Sequence, residues 1–195
     1  MTDANDTPTA VVAAAAVRVA ETSFDEISYR ELSTAVGISE RTVYRHFPTR
    51  THLLTRTALA LEAQLFAPAV FTDWAGLHEA VAQRFGAFDQ HPAEAALLAR
   101  AASVSPVSGY DSSFFAASVS ALVEETAPGL NPRDRRRTAS ALCWFASAGF
   151  WARCRTAFGA EAEEIYRFYR SSAREVLRAA PEGTWPQTAL VGSQA

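Results

Sequence analysis

The residue types best suited to chemistry on this chain sit in one short run: Arg41, Thr42, Tyr44, Arg45 and His46. Guanidinium groups pair with guanine edges and with phosphates, a threonine reaches a base or its methyl, and phenol and imidazole suit the nucleic-acid backbone. The interleaved apolar residues Val43 and Phe47 are four apart, so a helix turns them to one face and leaves the polar set largely off it. Arg41, Thr42 and Arg45 are therefore candidates for base-edge contacts. Tyr44, His46 and, shortly after them, Arg50 are candidates for phosphate contacts. The competing reading is a solvated helix face, the ordinary fate of charged helical residues.

Such a run needs elements that hold it in place. Ser28 and Glu31 have capping-box spacing, in which serine and glutamate satisfy the free amides of a helix start. Leu32, Ala35 and Val36 then repeat at helical intervals. Gly37 stands where a helix end favours positive φ. Ile38 can enter the core, and Ser39 can cap a second helix. Helix, glycine-containing turn, helix is the helix-turn-helix pattern. Thr49 caps a third helix directly after Pro48. From 39 to 56 there are four arginines and one acidic residue, so this stretch is locally positive.

Gly37-Ile38-Ser39, Thr42-Val43-Tyr44-Arg45-His46-Phe47, Pro48-Thr49-Arg50 and Leu53-Leu54 together resemble the DNA-binding domain of the tetracycline-repressor (TetR) family of bacterial regulators. The resemblance covers roughly residues 12–54; beyond it, only helix number and length agree with the family. It implies that the start of the first helix of the motif also reaches DNA, which adds Arg30 and brings Tyr29 close. There are departures. Arg50 replaces the more usual lysine, Ser23 replaces the usual glycine before Phe24, and Arg18 is the one basic residue of the first helix.

Composition sets outer limits. A chain of 195 residues with 49% hydrophobic and 20% charged residues is ordinary for a soluble globular protein. A net charge of −3 argues against a protein that coats nucleic acid broadly. The apolar run 11–17 is shorter than the roughly 20 residues a membrane span needs, and no basic residue precedes it as in a signal peptide. Cys143 and Cys154, expected on one helix, would lie about 16 Å apart, too far for a disulfide. A cytoplasmic, reduced protein without membrane contact is expected. His52 is expected on the surface, His78 and His91 belong to no cluster with metal spacing, and no nucleophile elbow or glycine-rich phosphate loop occurs. No catalytic site, metal or cofactor is expected.

The periodicities predict an all-α fold. Residues 1–6 are expected to be disordered, with a first helix over 8–21. The helix-turn-helix domain spans 7–54, with a connecting helix beginning at 49 and running to 66. A larger helical domain for effector binding and dimerisation spans 55–180, and a flexible tail 181–195. Within the larger domain, helices are expected over 73–89, from 92 to before Pro106, and over 114–125, with a loop at 105–112. A continuous helix of about 26 residues is expected from 132 to 158, about 40 Å long, then a last helix over 162–179.

The resemblance further implies an effector pocket among the aromatics of the second domain, with Phe85, Phe88, Tyr110, Phe114, Trp144 and Trp151 as candidates. The scarcity of buried-looking charge there favours a neutral, apolar or aromatic ligand. Dimerisation through a four-helix bundle, as in the family, would use Leu142, Ala146, Gly149 and Phe150 on one helix and Phe168, Tyr169 and Val176 on the last. The alternative is that both stripes pack inside the monomer. The expected function is a homodimeric transcriptional regulator, a repressor released from a palindromic double-stranded DNA operator by an unknown small molecule. The alternatives are a DNA-binding regulator of the same fold without an effector, and a helical interaction protein that does not bind DNA.

Overall fold

Valines and alanines at 11, 12, 15 and 19 fall on one side of a helix and are buried there, which fixes α1 (Asp6–Val19). The computed structural model describes residues 6–67, 69–104, 113–180 and 184–190, and among them there are eleven α-helices and no strand. The chain divides into two compact units, one of residues 1–67 and 91–110, the other of 68–90 and 111–195.

In the first unit, α2 (Tyr29–Val36) begins with the predicted capping box: Glu31 N–H donates to Ser28 Oγ at 3.1 Å and Ser28 N–H to Glu31 Oε2 at 2.7 Å. It ends at Gly37, whose φ of 74° lets Gly37 N–H reach Thr34 O and Ile38 N–H reach Ser33 O. That pair of bonds is the Schellman closure, and glycine is the residue that adopts it without strain. Ser39 caps α3 (Glu40–His46) by accepting from Thr42 N–H, and Thr49 caps α4 (Arg50–Leu65) by accepting from His52 N–H. Leu32, Val43, Phe47 and Leu53 are 2% exposed or less and form the centre of this unit. A later segment completes it: α6 (Pro92–Val104) packs on α4 and on α1.

The second unit is assembled from α5 (Trp74–Gln90), α7 (Ser113–Thr126), α8 (Pro132–Phe145), α9 (Ala148–Phe158), α10 (Ala162–Arg178) and α11 (Gln187–Leu190). The main packings are α5 on α10, α7 on α8, and α8 on α10. Trp74, Leu77, Val81, Phe85 and Phe88 from α5 are buried with Ile165, Tyr169, Ala173 and Leu177 from α10. Asp89 ties three elements together: it accepts from Trp151 Nε1 and from the Ala162 N–H, each at 2.7 Å, and lies 3.5 Å from the Arg155 guanidinium.

Two expectations need correction. The helix predicted to run unbroken from 132 to 158 is two helices. Ser147 accepts from Phe150 N–H at 3.2 Å and donates its own hydroxyl to Trp144 O at 2.7 Å. One serine thereby closes α8 and opens α9, so a single-helix spacing does not apply to Cys143 and Cys154, which are both buried. The second concerns the tail. Residues 184–190, expected to be flexible, include α11, with Trp185 8% and Ala189 3% exposed. Trp185 Nε1 donates to Leu177 O at 2.8 Å, a bond that anchors the segment to the end of α10.

Candidate nucleic-acid interface

The geometry of the first unit follows from which side chains its core absorbs. Val43 and Phe47 bury the inner face of α3. Tyr29 Oη donates to Phe47 O at 2.8 Å, which fixes the end of α3 against the start of α2. Burial pushes the Tyr29 phenol above its ordinary range, so it remains a neutral donor. Its ring also meets Tyr44 edge-on at 4.6 Å, and this contact orients the half-exposed Tyr44 ring.

On the outer face, Arg41 and Arg45 are exposed, and Arg45 lies 3.5 Å from the half-buried His46 imidazole. Thr42 is half-buried and shares a 2.8 Å hydrogen bond with the Ser39 hydroxyl, so its methyl and hydroxyl have a set orientation. Arg30 is exposed in the first turn of α2. Glu31, the one acidic residue in that first turn, has its carboxyl held below the usual range by the Ser28 amide and hydroxyl. Arg30, Arg41, Thr42, Tyr44, Arg45 and His46 are thus carried by the two helices of one motif. Arrangements of this kind can neutralise phosphates and offer donors to base edges.

Arg50 behaves differently. Its guanidinium is turned into the unit: Nη1 donates to Ile27 O at 2.6 Å, Nη2 donates to Phe24 O, and the group lies 4.7 Å from the centre of the Phe24 ring. Instead of reaching outward, it pins the α1–α2 connection to the start of α4. Sequence reasoning also did not single out Arg100 or Asp25. Arg100 in α6 makes a two-pronged pair with Asp25, both contacts at 2.8 Å, which holds the Asp25 carboxyl below its usual range. Both side chains are substantially exposed, and 75 positions separate them, so no local signal connects them.

In the second unit the aromatic candidates divide by burial. Phe85, Phe88 and Trp151 are packed in the interior, with Phe88 and Trp151 rings 5.6 Å apart. Phe114 and Trp144 are 52% and 59% exposed, and Tyr110 lies outside the described residues. A groove of about 670 Å³ lies at the first turns of α8, lined by Asn131, Pro132, Arg133, Arg136, Arg137 and Ser140. Of the residues expected on a dimer face, Leu142, Ala146 and Tyr169 are at most 2% exposed, because α5, α8 and α10 already enclose them. They have no surface left to offer a partner. Gly149, Phe150 and Val176 are half-buried, and Phe168 is exposed.

Residues 11–57 match the family model of the bacterial regulatory proteins of the tetR family. No curated protein matches the chain in sequence. Among solved structures, a TetR transcriptional regulator from Rhodococcus sp. RHA1 is similar with a TM-score of 0.68 at 14% identity, covering 93% of this chain and 100% of that one. A TetR variant from Acinetobacter baumannii AYE, solved in complex with minocycline, has a TM-score of 0.63 at 18% identity, with 92% and 96% covered. A tetR-family regulator from Streptomyces coelicolor has a TM-score of 0.55 at 17% identity, with 93% of each chain covered. At these identities the likeness speaks for the fold, and the match over 11–57 speaks for the head. Residues 11–57 therefore resemble the N-terminal domain of the tetR-family regulatory proteins, and the chain has the all-α fold of solved TetR regulators.

Proposed function

We propose that the chain is a cytoplasmic, homodimeric repressor that reads a palindromic DNA operator and is released from it by a small apolar or aromatic ligand. The observation that carries this reading is the outer face of α3, where Arg41, Thr42, Tyr44 and Arg45 project from a helix whose inner face is buried. In a major groove, Arg41, Thr42 and Arg45 take base edges, while Tyr44, His46 and Arg30 take phosphates. Arg50 takes the supporting role of holding the turn that aims α3. Two heads related by a two-fold axis require two half-sites, hence a palindrome. The half-exposed Phe150 and Val176 and the exposed Phe168 and Trp144 offer apolar surface for that pairing. A fold neighbour solved with minocycline supports a small-molecule effector for the second unit.

Selection of bound sequences from a random duplex pool, at stated salt, tests this. Enrichment of an inverted repeat is expected, with binding lost in the Arg41→Ala, Arg45→Ala double variant. Enrichment of a single half-site would overturn the dimeric reading, and no enrichment by a folded protein would overturn the DNA reading itself.

A further inference from the structure

The core of the second unit contains a polar cluster that a purely structural interior does not need. Trp74 and His78 stand one turn apart on α5 and are 2% and 4% exposed. Tyr169 of α10 is fully buried beside them, its hydroxyl 3.3 Å from His78 Nδ1 and its ring meeting the imidazole edge-on at 5.8 Å. Trp74 Nε1 is buried and makes no hydrogen bond, whereas the His78 imidazole has the Ala189 backbone of α11 beside it as a hydrogen-bonding partner. Buried polar groups in native proteins are nearly always paired, so the orphan indole N–H of Trp74 points to a missing partner.

The side of this cluster that another element could open is covered by the chain's own last described segment. Trp185 lies edge-on to Trp74, ring centres 5.7 Å apart, and α11 packs on both α5 and α10. The fit is good in shape and poor in chemistry. An indole has an N–H and no acceptor. Trp185 directs that N–H at Leu177 O and leaves the Trp74 N–H unanswered. Burial and the Arg170 charge, only partly opposed by the Ala189 backbone hydrogen bond, hold His78 neutral, near a pKa of about 4, so one of its ring nitrogens carries a proton and the other does not.

We propose that Trp74, His78 and Tyr169 form the effector seat of the second unit. Residues 184–190 occupy it in the free protein, and the effector is a planar aromatic molecule with a hydrogen-bond acceptor that displaces Trp185. The word effector rests on the regulatory reading above; the seat does not. An incoming ring takes the Trp185 position against Trp74, and its acceptor takes the Trp74 N–H that the Trp185 indole leaves unpaired. The tethered tail competes as an intramolecular ligand, so the intact chain binds more weakly than one with the seat emptied.

Indole and oxindole serve as probes, because they share a shape and differ by one carbonyl acceptor. Binding is measured by calorimetry to the full chain, to Trp185→Phe and to Trp185→Ala, with 5-fluorotryptophan NMR reporting the four tryptophans. Oxindole affinity is expected to rise by about tenfold or more from the full chain to Trp185→Ala, with Trp185→Phe between them. Trp185→Ala is expected to prefer oxindole over indole by about fivefold to tenfold, the worth of one hydrogen bond. That preference is expected to vanish when Trp74→Phe is added. In the intact chain, saturating oxindole moves the Trp185 fluorine signal to a solvent-exposed position. Equal affinity for the two probes, or an unmoved Trp185 signal at saturation, overturns the proposal. Should Trp185→Ala fail to fold, the same comparison between Trp185→Phe and the full chain decides, and equal oxindole affinities there overturn it. Operator binding is scored separately. Displacement of Trp185 by oxindole in a protein that enriches no DNA supports the seat while the DNA reading fails; operator binding without displacement does the reverse.

Discussion

Replacing Arg50 separates two roles that its position in the sequence leaves mixed. As a phosphate contact it would touch solvent and DNA and add little to folding. In the structure it donates to the Phe24 and Ile27 carbonyls and stacks on Phe24. A hydrogen bond to a charged donor contributes about 1.5–3 kcal/mol, and a partly exposed cation–π contact about 0.5–1 kcal/mol. The site is only half-buried, so water recovers part of the loss from the freed carbonyls. Arg50→Ala should then cost about 2–3 kcal/mol. With a urea m-value of about 2 kcal/mol/M, the midpoint falls by about 1–1.5 M. Arg50→Lys keeps the charge but cannot serve both carbonyls with a planar fork, and should fall about halfway. Urea unfolding followed by circular dichroism reads both variants. The second readout is the salt dependence of operator binding, where the loss of one phosphate contact lowers the log–log slope by about 0.9. An unchanged midpoint in Arg50→Ala, together with a slope reduced by about one, would refute the structural assignment.

Three further outcomes are expected. Arg41→Ala and Arg45→Ala should each weaken specific operator binding by about 1–3 kcal/mol, measured by fluorescence anisotropy, while leaving the unfolding midpoint unchanged. His78 should make the protein acid-sensitive. Its folded pKa of about 4 lies below the ordinary 6.5, so the unfolded chain takes up the proton first. Stability is fully present above pH 6.5, falls as pH drops towards 4, and loses nothing more from this group below that; the total is on the order of 3 kcal/mol, and His78→Phe should abolish that slope in chemical denaturation across pH. Ser147→Ala should cost about 1 kcal/mol by uncapping α9, seen as a lower melting temperature.

What the sequence made legible was local. Ser28 with Glu31, Gly37, Ser39 and Thr49 each act within a few residues of their partners, and all appear as read. Contacts across long separations left no such trace. Arg50 reaches carbonyls 23 and 26 positions earlier, and Arg100 reaches Asp25 across 75. A basic residue after a recognition helix looks equally suited to phosphate or to backbone until those carbonyls are seen. Ser147 misled for another reason. In a run of small residues it fits a helix interior, and its capping role depends on its hydroxyl meeting Trp144 O and Phe150 N–H. The tail misled because Pro181 reads as a helix stop, whereas Trp185 has a binding partner in α10. Apolar stripes on the late helices gave the right faces but not their destination, since Leu142, Ala146 and Tyr169 are enclosed by neighbours within their own unit.

The first unit is not a continuous piece of chain: α6 joins it only after the 68–90 excursion into the other unit. Synthesis runs from the N-terminus, so α1 to α4 emerge with one side of α4 still uncovered. Closing the excursion carries an entropic cost that grows only slowly with its length, so the delay itself does little harm to final stability. It does set an order of events. A nascent chain that has made the whole reading motif does not yet have a finished head, and one cut at residue 67 never acquires the Asp25–Arg100 clasp. Shortened versions made to isolate the DNA-reading activity would therefore present a bare α4 flank to chaperones and proteases, while a chain ending beyond Val104 would not.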